Sequence, residues 1–347
     1  MELQKIIYEL VNTGYIHDDV KFDYIVSKLL ERKEIDNAVK EKIIEAKVNA
    51  EQAYPLKIVD DFETKTPSQI QKEMYILKCG TEVPVYTIEN IHDPTQFVGY
   101  GKYINSKGYN VFLRGQNNLY DGKMIPSLYR GGGKNRVTYY AFMKRLNETI
   151  RNVKSFSKYD KIVFEPMLQH YGIKTTTIDL VDNVWVALWF GLHETKSVVL
   201  GNREHLYISD KKDGYAYIIL MGSDAVQNNG GVYEGKTTRL VDLRKVLPSY
   251  FLRPHAQHAL MLKKKEKVPG QEPEVREDED YSDLIVGIAK IPVKQGFEWI
   301  GKNESLSTSA LFPPAYFDYG YRILLEKYPL TDKGMVKNYG SIQIISD

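Results

Sequence analysis

The sequence predicts an α+β protein: a mixed or antiparallel sheet with packed helices, preceded by a small helical N-terminal segment. Three observations predict it. Residues 2 to 53 repeat apolar positions at helical spacing, and from residue 56 short extended runs alternate with Gly, Pro and charged turns. Between later runs of that kind, the stretch Val184-Trp185-Val186-Ala187-Leu188-Trp189-Phe190-Gly191-Leu192 is apolar on most of a helical circumference, as a buried helix is. The expected organisation is a helical segment over 1–54 and an α+β domain over 55–347.

In chain order, Ile6, Ile7, Leu10 and Val11 share one helical face, Phe22, Ile25, Val26, Leu29 and Leu30 a second, and Val39, Ile43, Ala46 and Ala50 a third. Breaks are expected at Gly14 and over Lys33-Glu34-Ile35-Asp36, with Asp18 or Asp19 capping the second helix and Asp36 the third. Tyr54-Pro55 ends the segment, because proline disfavours helix in the residue before it. Packing of this segment on the main domain is the expected arrangement. Strands follow over Met74–Leu77 and Val83–Tyr86, then a helix over residues 93 to 106 and a strand from Tyr109 to Leu113 that delivers Arg114. A turn at Pro126-Ser127-Leu128-Tyr129-Arg130 and the glycines 131 to 133 lead to a helix expected over 136–156. Further strands are expected at Tyr215 to Met221 and Leu284 to Ile291, and the oppositely charged blocks between Lys263 and Asp280 read as a solvated loop.

The 47 basic and 45 acidic residues nearly cancel, which excludes a global field steering the chain to nucleic acid or anionic membrane. The single cysteine, Cys79, excludes an internal disulfide framework, fits a reducing compartment and reads as a small half-buried apolar residue. The first residues enter an amphipathic pattern in place of an apolar signal core, and no apolar run approaches the roughly 20 residues that span a bilayer. A cytoplasmic protein with no membrane partner is expected.

Three stretches carry the candidate chemistry. In Phe112-Leu113-Arg114-Gly115-Gln116 the arginine ends a strand and precedes a residue with no Cβ, so its planar fork of donors suits a phosphate or carboxylate. A structural salt bridge fixing the following loop is the competing role. In Gln169-His170-Tyr171-Gly172, His170 has the near-neutral imidazole of a general base, and Thr175, Thr176 and Thr177 lead to Asp179. In a strand Thr175 and Thr177 would face one side and Thr176 the other; ordinary strand composition accounts for them equally well. The third stretch is Arg253-Pro254-His255-Ala256-Gln257. His255 and His258 have a His-x-x-His spacing without the zincin glutamate or any supporting cysteine, so no metal is assigned. The Walker spacing and the Gly-x-Ser-x-Gly elbow are absent.

Together with Pro126–Arg130, Ala187-Leu188-Trp189-Phe190 and the later Leu311-Phe312-Pro313, these stretches resemble the FRG domain, named for its aromatic-Arg-Gly motif, over roughly residues 90 to 320. Where that family has Pro-Thr-Arg-Leu-Leu-Asp-Trp, this chain has Lys174-Thr175-Thr176-Thr177-Ile178-Asp179-Leu180, so Thr176 stands at the family arginine and Lys174 is a possible substitute cation. The order of elements is also similar to ADP-ribosyltransferases of the Arg, Ser-Thr-Ser, Glu type. That similarity implies NAD as cofactor, bound through Arg114, Gly115, Gln116, Tyr171, Thr175, Thr177 and Arg253, with His170, Asp179 and Gln257 as catalytic candidates. Gln257 is an amide, limited to orienting a group. The implied activity is transfer of ADP-ribose to a protein or nucleic-acid acceptor, as a toxin or antiphage effector would use. A non-catalytic nucleotide-binding module, and a phosphodiesterase or nuclease using His170 and Asp179, are the alternatives.

Overall fold

The computed structural model describes residues 3–12, 19–52, 54–63, 70–127, 129–131, 161–171, 175–200, 203–265, 280–301, 306–313, 316–321 and 338–344. Gly14, Asp18, Gly172, Lys174, the helix expected over 136–156 and most of the charged loop lie outside them.

Helices α1 (Leu3–Asn12), α2 (Asp19–Glu31) and α3 (Asn37–Gln52) form the N-terminal segment. Ile6, Leu10, Phe22, Val26, Ile35 and Ile43 bury one another in a core of the segment's own. Asp36 caps α3 as expected, accepting from Val39 N at 2.8 Å.

The main domain is built on a ten-stranded sheet. Its strands are β1 (Gln71–Ile76), β2 (Glu82–Thr87), β3 (Asn110–Gln116), β4 (Ile178–Val181), β7 (Tyr215–Ser223), β8 (Gln227–Asn229), β9 (Val232–Glu234), β10 (Thr238–Asp242), β11 (Ala259–Lys264) and β12 (Ile285–Pro292), in the order β1-β2-β12-β7-β3-β4-β11-β10-β9-β8. Among the described pairs of this sheet β12 runs parallel to β2 and the others are antiparallel, so the sheet is mixed.

Alternation along the strands gives the sheet two apolar faces. Val111, Leu113, Ile218 and Leu220 meet α4 (Asp93–Asn105) and α6 (Val184–Leu192) on one; Ile178, Leu180, Ile219, Met221, Leu260 and Leu262 meet Met124 and Tyr281 on the other. The apolar stretch at 184–192 is the buried helix its composition predicts. Asn183 caps it, its Oδ1 accepting from Trp185 N and Val186 N, while Asp182 is engaged elsewhere.

Helix α6 runs without a break into a second sheet that the sequence does not announce, of β5 (His193–Leu200), β6 (Arg203–Asp210) and β13 (Asn338–Ile344) in the order β13-β6-β5. Two more expectations need correction. Cys79 is exposed, because it sits in the β1–β2 turn where Leu77 N bonds Thr81 O and Gly80 is left-handed at φ +88°. Lys263 and Lys264 belong to β11, not to a loop, each held by an acidic side chain distant in sequence.

One junction shapes the site. The strands β3 and β4 share a single registered pair, Leu113 with Val181, and then diverge. The Arg-Gly motif lies at that divergence.

Candidate functional site

Arg114 is positioned by β3 just past its last pairing with β4. Its Nη1 donates to the Asp179 backbone oxygen at 2.7 Å, a carbonyl that the parting of the strands leaves without a β3 amide, and lies 4.0 Å from Asp179 Oδ2. With the Gln116 amide oriented to satisfy both its ends, Gln116 oxygen accepts from Arg114 Nε at 2.9 Å and its nitrogen donates to Asn118 O. Burial pulls the guanidinium down to about 10, opposed by Asp179 and reinforced by Arg130 nearby. Arg114 stays charged at neutral pH and, among the described residues, its Nη2 has no acceptor. Gly115 answers to packing: a Cβ there would lie inside contact distance of the Ala187 carbonyl and 2.9 Å from Phe190 Cβ, so α6 sits on the sheet only because the position is bare.

Asp179 connects this arginine to the threonines through Gln169, near the end of α5 (Lys161–His170). Gln169 Nε2 donates to Asp179 Oδ2 at 2.6 Å, while its Oε1 accepts from Thr177 Oγ1 at 2.6 Å and from Thr175 Oγ1. Thr175 and Thr177 hydroxyls are 3.0 Å apart. The threonines precede β4 and are not part of it, so one glutamine, in place of strand alternation, brings the two hydroxyls together. Thr176 takes the other course. Its amide and hydroxyl both donate to Glu165 Oε1, and Glu165 Oε2 accepts from Lys263 Nζ at 3.0 Å. Where the FRG pattern has an arginine, this chain therefore has a hydroxyl on a carboxylate, and the nearby cation comes from β11.

His170 and Tyr171 at the end of α5 form a second neighbourhood with Arg253 and Gln257 of helix α7 (Leu252–Ala256) and its C-cap. Asp318, fully buried, accepts from Tyr171 OH and from Arg253 N, each at 2.8 Å. The Arg253 guanidinium lies 4.4 Å over the Phe312 ring, and Gln257 Nε2 donates to Leu311 O at 2.6 Å. Arg253, Gln257 and Leu311-Phe312 are thus one packing unit. His170 is 7% exposed and among the described residues its Nε2 has no partner.

Burial, with the Arg253 charge adding to it, lowers the His170 pKa to about 3 against the hydrogen bond to the Arg253 backbone. A base held neutral in the fold is protonated more readily when unfolded, so its contribution is complete above about pH 6.5 and is lost as pH falls toward 3. Between pH 7 and 4.5 the protein is expected to lose about 2 kcal/mol more unfolding free energy than His170→Gln does, read from urea midpoints at the two pH values.

A third polar group closes the far end of β4. Arg244 holds Asp182 in a bidentate pair at 3.0 and 2.8 Å and also binds Asp242, and His258 Nδ1 lies 3.1 Å from Asp182 Oδ1. Burial works against the Asp182 carboxylate, but Arg244 and His258 outweigh it and hold the pKa below the usual range. His255 and His258 do not converge on a common centre in this arrangement: His258 is committed to Asp182, while His255 Nε2 is buried and, among the described residues, without a partner.

Hydrogen bonds thus link Arg114, Gln116, Thr175, Thr177 and Asp179, with Gly115 between two of them, while Tyr171, Arg253 and Gln257, with His170 beside them, are engaged with Asp318, Phe312 and Leu311. Gln169 is the residue that sequence reasoning passed over in favour of its neighbour His170. A signal existed: Glu165 and Gln169 are four residues apart on a helix, so both face the threonines. Arg130 was in view only as the end of the Pro126–Arg130 stretch, and no such signal pointed to Asp318.

In comparison with known families, residues 109–198 match the FRG domain, so the chain carries an FRG domain there. The matched segment runs from the start of β3 into β5 and holds Arg114, Gln169, Asp179 and Ala187; Arg253, Gln257 and Leu311–Pro313 lie beyond it. No curated protein and no solved structure matches the chain. No helix among the described residues is long and apolar enough to cross a membrane.

Proposed function

We propose that the FRG domain of this chain is a nucleotide-binding module, with a ligand phosphate against Arg114 and Arg130 and a ribose hydroxyl within reach of the Gln169–Asp179 pair. One observation carries the reading. Arg130 lies near enough to lower the Arg114 pKa, and the carboxylate beside Arg114, Asp179, is half exposed and already accepts from Gln169. An anion entering between the arginines relieves their repulsion, and Arg114 Nη2 offers it a donor. The loop leading to Arg130 is set by two successive left-handed residues, Tyr120 at φ +49° and Asp121 at φ +54°, a conformation that costs about 1–3 kcal/mol per residue and gathers at ligand sites.

NAD is the first ligand to test, and transfer of its ADP-ribose to a macromolecule is the reaction class that the arginine followed by paired threonine hydroxyls favours. Asp179, in place of Gln257, is then the acidic group beside the ribose, since the Gln257 amide is engaged with Leu311. Calorimetric titration with NAD and ADP-ribose is expected to show binding that Arg114→Gln weakens about 10- to 100-fold, the equivalent of one charge-assisted contact. Absence of binding in the unmodified protein, or equal affinity in the variant, would overturn the reading. Incubation with labelled NAD separates the two versions of it: label on protein or nucleic acid supports transfer, and binding without label supports a non-catalytic module.

A further inference from the structure

A groove of about 240 Å³ lies under α5, lined by Ile162, Glu165, Pro166 and Thr177 with Arg239, Val241, Met261 and Lys263 of β10 and β11. Arg239 and Lys263 are direct cross-strand partners, and Val241 pairs with Met261 on the same face. The groove is therefore two-toned: two cations side by side at one end and an apolar floor two residues further along, roughly 7 Å away at strand rise. Among the described residues each cation has one acidic partner, Arg239 with Glu234 and Lys263 with Glu165. Glu234 also binds Lys265, and Glu165 is held by Thr176, so these carboxylates are shared. Three cations against two carboxylates leave the cationic end able to accept an anion.

We propose that this groove is a second ligand site, distinct from Arg114, for a small ring-bearing monophosphate. The phosphate lies between Arg239 and Lys263, and the ring rests on Val241, Met261 and Pro166. Volume sets the class. Pockets for drug-sized ligands run from about 300 to 1,000 Å³, so this one admits a single ring system with its phosphate and not a dinucleotide. Arginine next to a lysine suits phosphate, the fork fixing direction and the ammonium adding charge. Neither Arg239 nor Lys263 lies in the segment that matches the FRG domain, so the site belongs to the remainder of this chain.

The full chain titrated with phenyl phosphate and with AMP, followed by calorimetry, tests the site; inorganic phosphate and adenosine are the half-ligand controls. Both complete ligands are expected to bind at least tenfold tighter than either half. Arg239→Gln should weaken phenyl phosphate at least tenfold, Ile162→Trp should abolish its binding by filling the groove without changing charge, and Arg114→Gln should leave it within twofold. Loss with Arg114→Gln and none with Arg239→Gln would assign the ligand to the first site and overturn the proposal, as would failure of the unmodified chain to bind. Should Arg239→Gln lower the thermal midpoint, Ile162→Trp decides alone: unchanged affinity there refutes the site.

Discussion

Replacing Gly115 by alanine is expected to destabilise the protein by about 3 kcal/mol or more, at the upper end of what forced overpacking costs. The added carbon falls on the Ala187 carbonyl, 2.7 Å from its carbon and 2.9 Å from Phe190 Cβ. Both obstacles belong to a buried helix, so neither can swing aside as a long side chain would. Relief requires α6 to lift from β3, and α6 contributes Ala187, Leu188, Trp189 and Leu192 to the main core. A thermal midpoint lower by roughly 6–12 °C is expected at that cost, taking the scaling of large domains. Gly99, where an added carbon meets nothing within 4 Å, is the control: Gly99→Ala sits inside α4 and should stabilise slightly or leave the midpoint unchanged. An unchanged midpoint for Gly115→Ala would mean that the helix does not sit where described.

Asp318→Ala is expected to cost about 3 kcal/mol, through the second neighbourhood instead of the first. The carboxylate is fully buried and accepts from two groups in separate parts of the chain, the Tyr171 hydroxyl and the Arg253 amide. Its loss takes an acceptor from both, and each buried donor so deprived costs about 1–3 kcal/mol. Burial, with Asp318 adding to it, already drives the Tyr171 pKa well above the ordinary phenol value, so the tyrosine stays a donor at every pH where the protein folds. Tyr171→Phe takes one donor from the carboxylate and leaves the Arg253 amide in place, so it should cost about 1–3 kcal/mol, less than Asp318→Ala does. Equal urea midpoints for the two variants would show that Asp318 does not join these elements.

Much of the framework was legible because alternation and helical period survive in the chain. The strands at β1, β2, β3, β7 and β12, the helix at α4 and the buried α6 all fall where apolar spacing puts them. Beyond them, legibility fails for identifiable reasons. His193 to Leu200 follows an apolar helix without a Gly or Pro between, so nothing marks the change from helix to strand. The lysines of β11 read as a charged loop because their acidic partners, Glu165 and Asp283, are supplied from elsewhere in the chain.

At the site, the residue types were visible and their partners were not. Arg114 binds a main-chain carbonyl, and a backbone acceptor leaves no trace in side-chain identity. The paired threonine hydroxyls were expected from strand alternation; Gln169 supplies the reason instead.

The junction of β3 and β4 has a mechanical meaning. A ladder with one rung cannot fix the angle between two plates, yet β1-β2-β12-β7-β3 and β4-β11-β10-β9-β8 meet at one rung. The helix seated by the bare position at 115 and the Arg114 bond to the Asp179 carbonyl reinforce that rung, as do the bonds from Thr238 of β10 to Ser223 and Asp224. The short motif is then a joint between the two halves of the sheet.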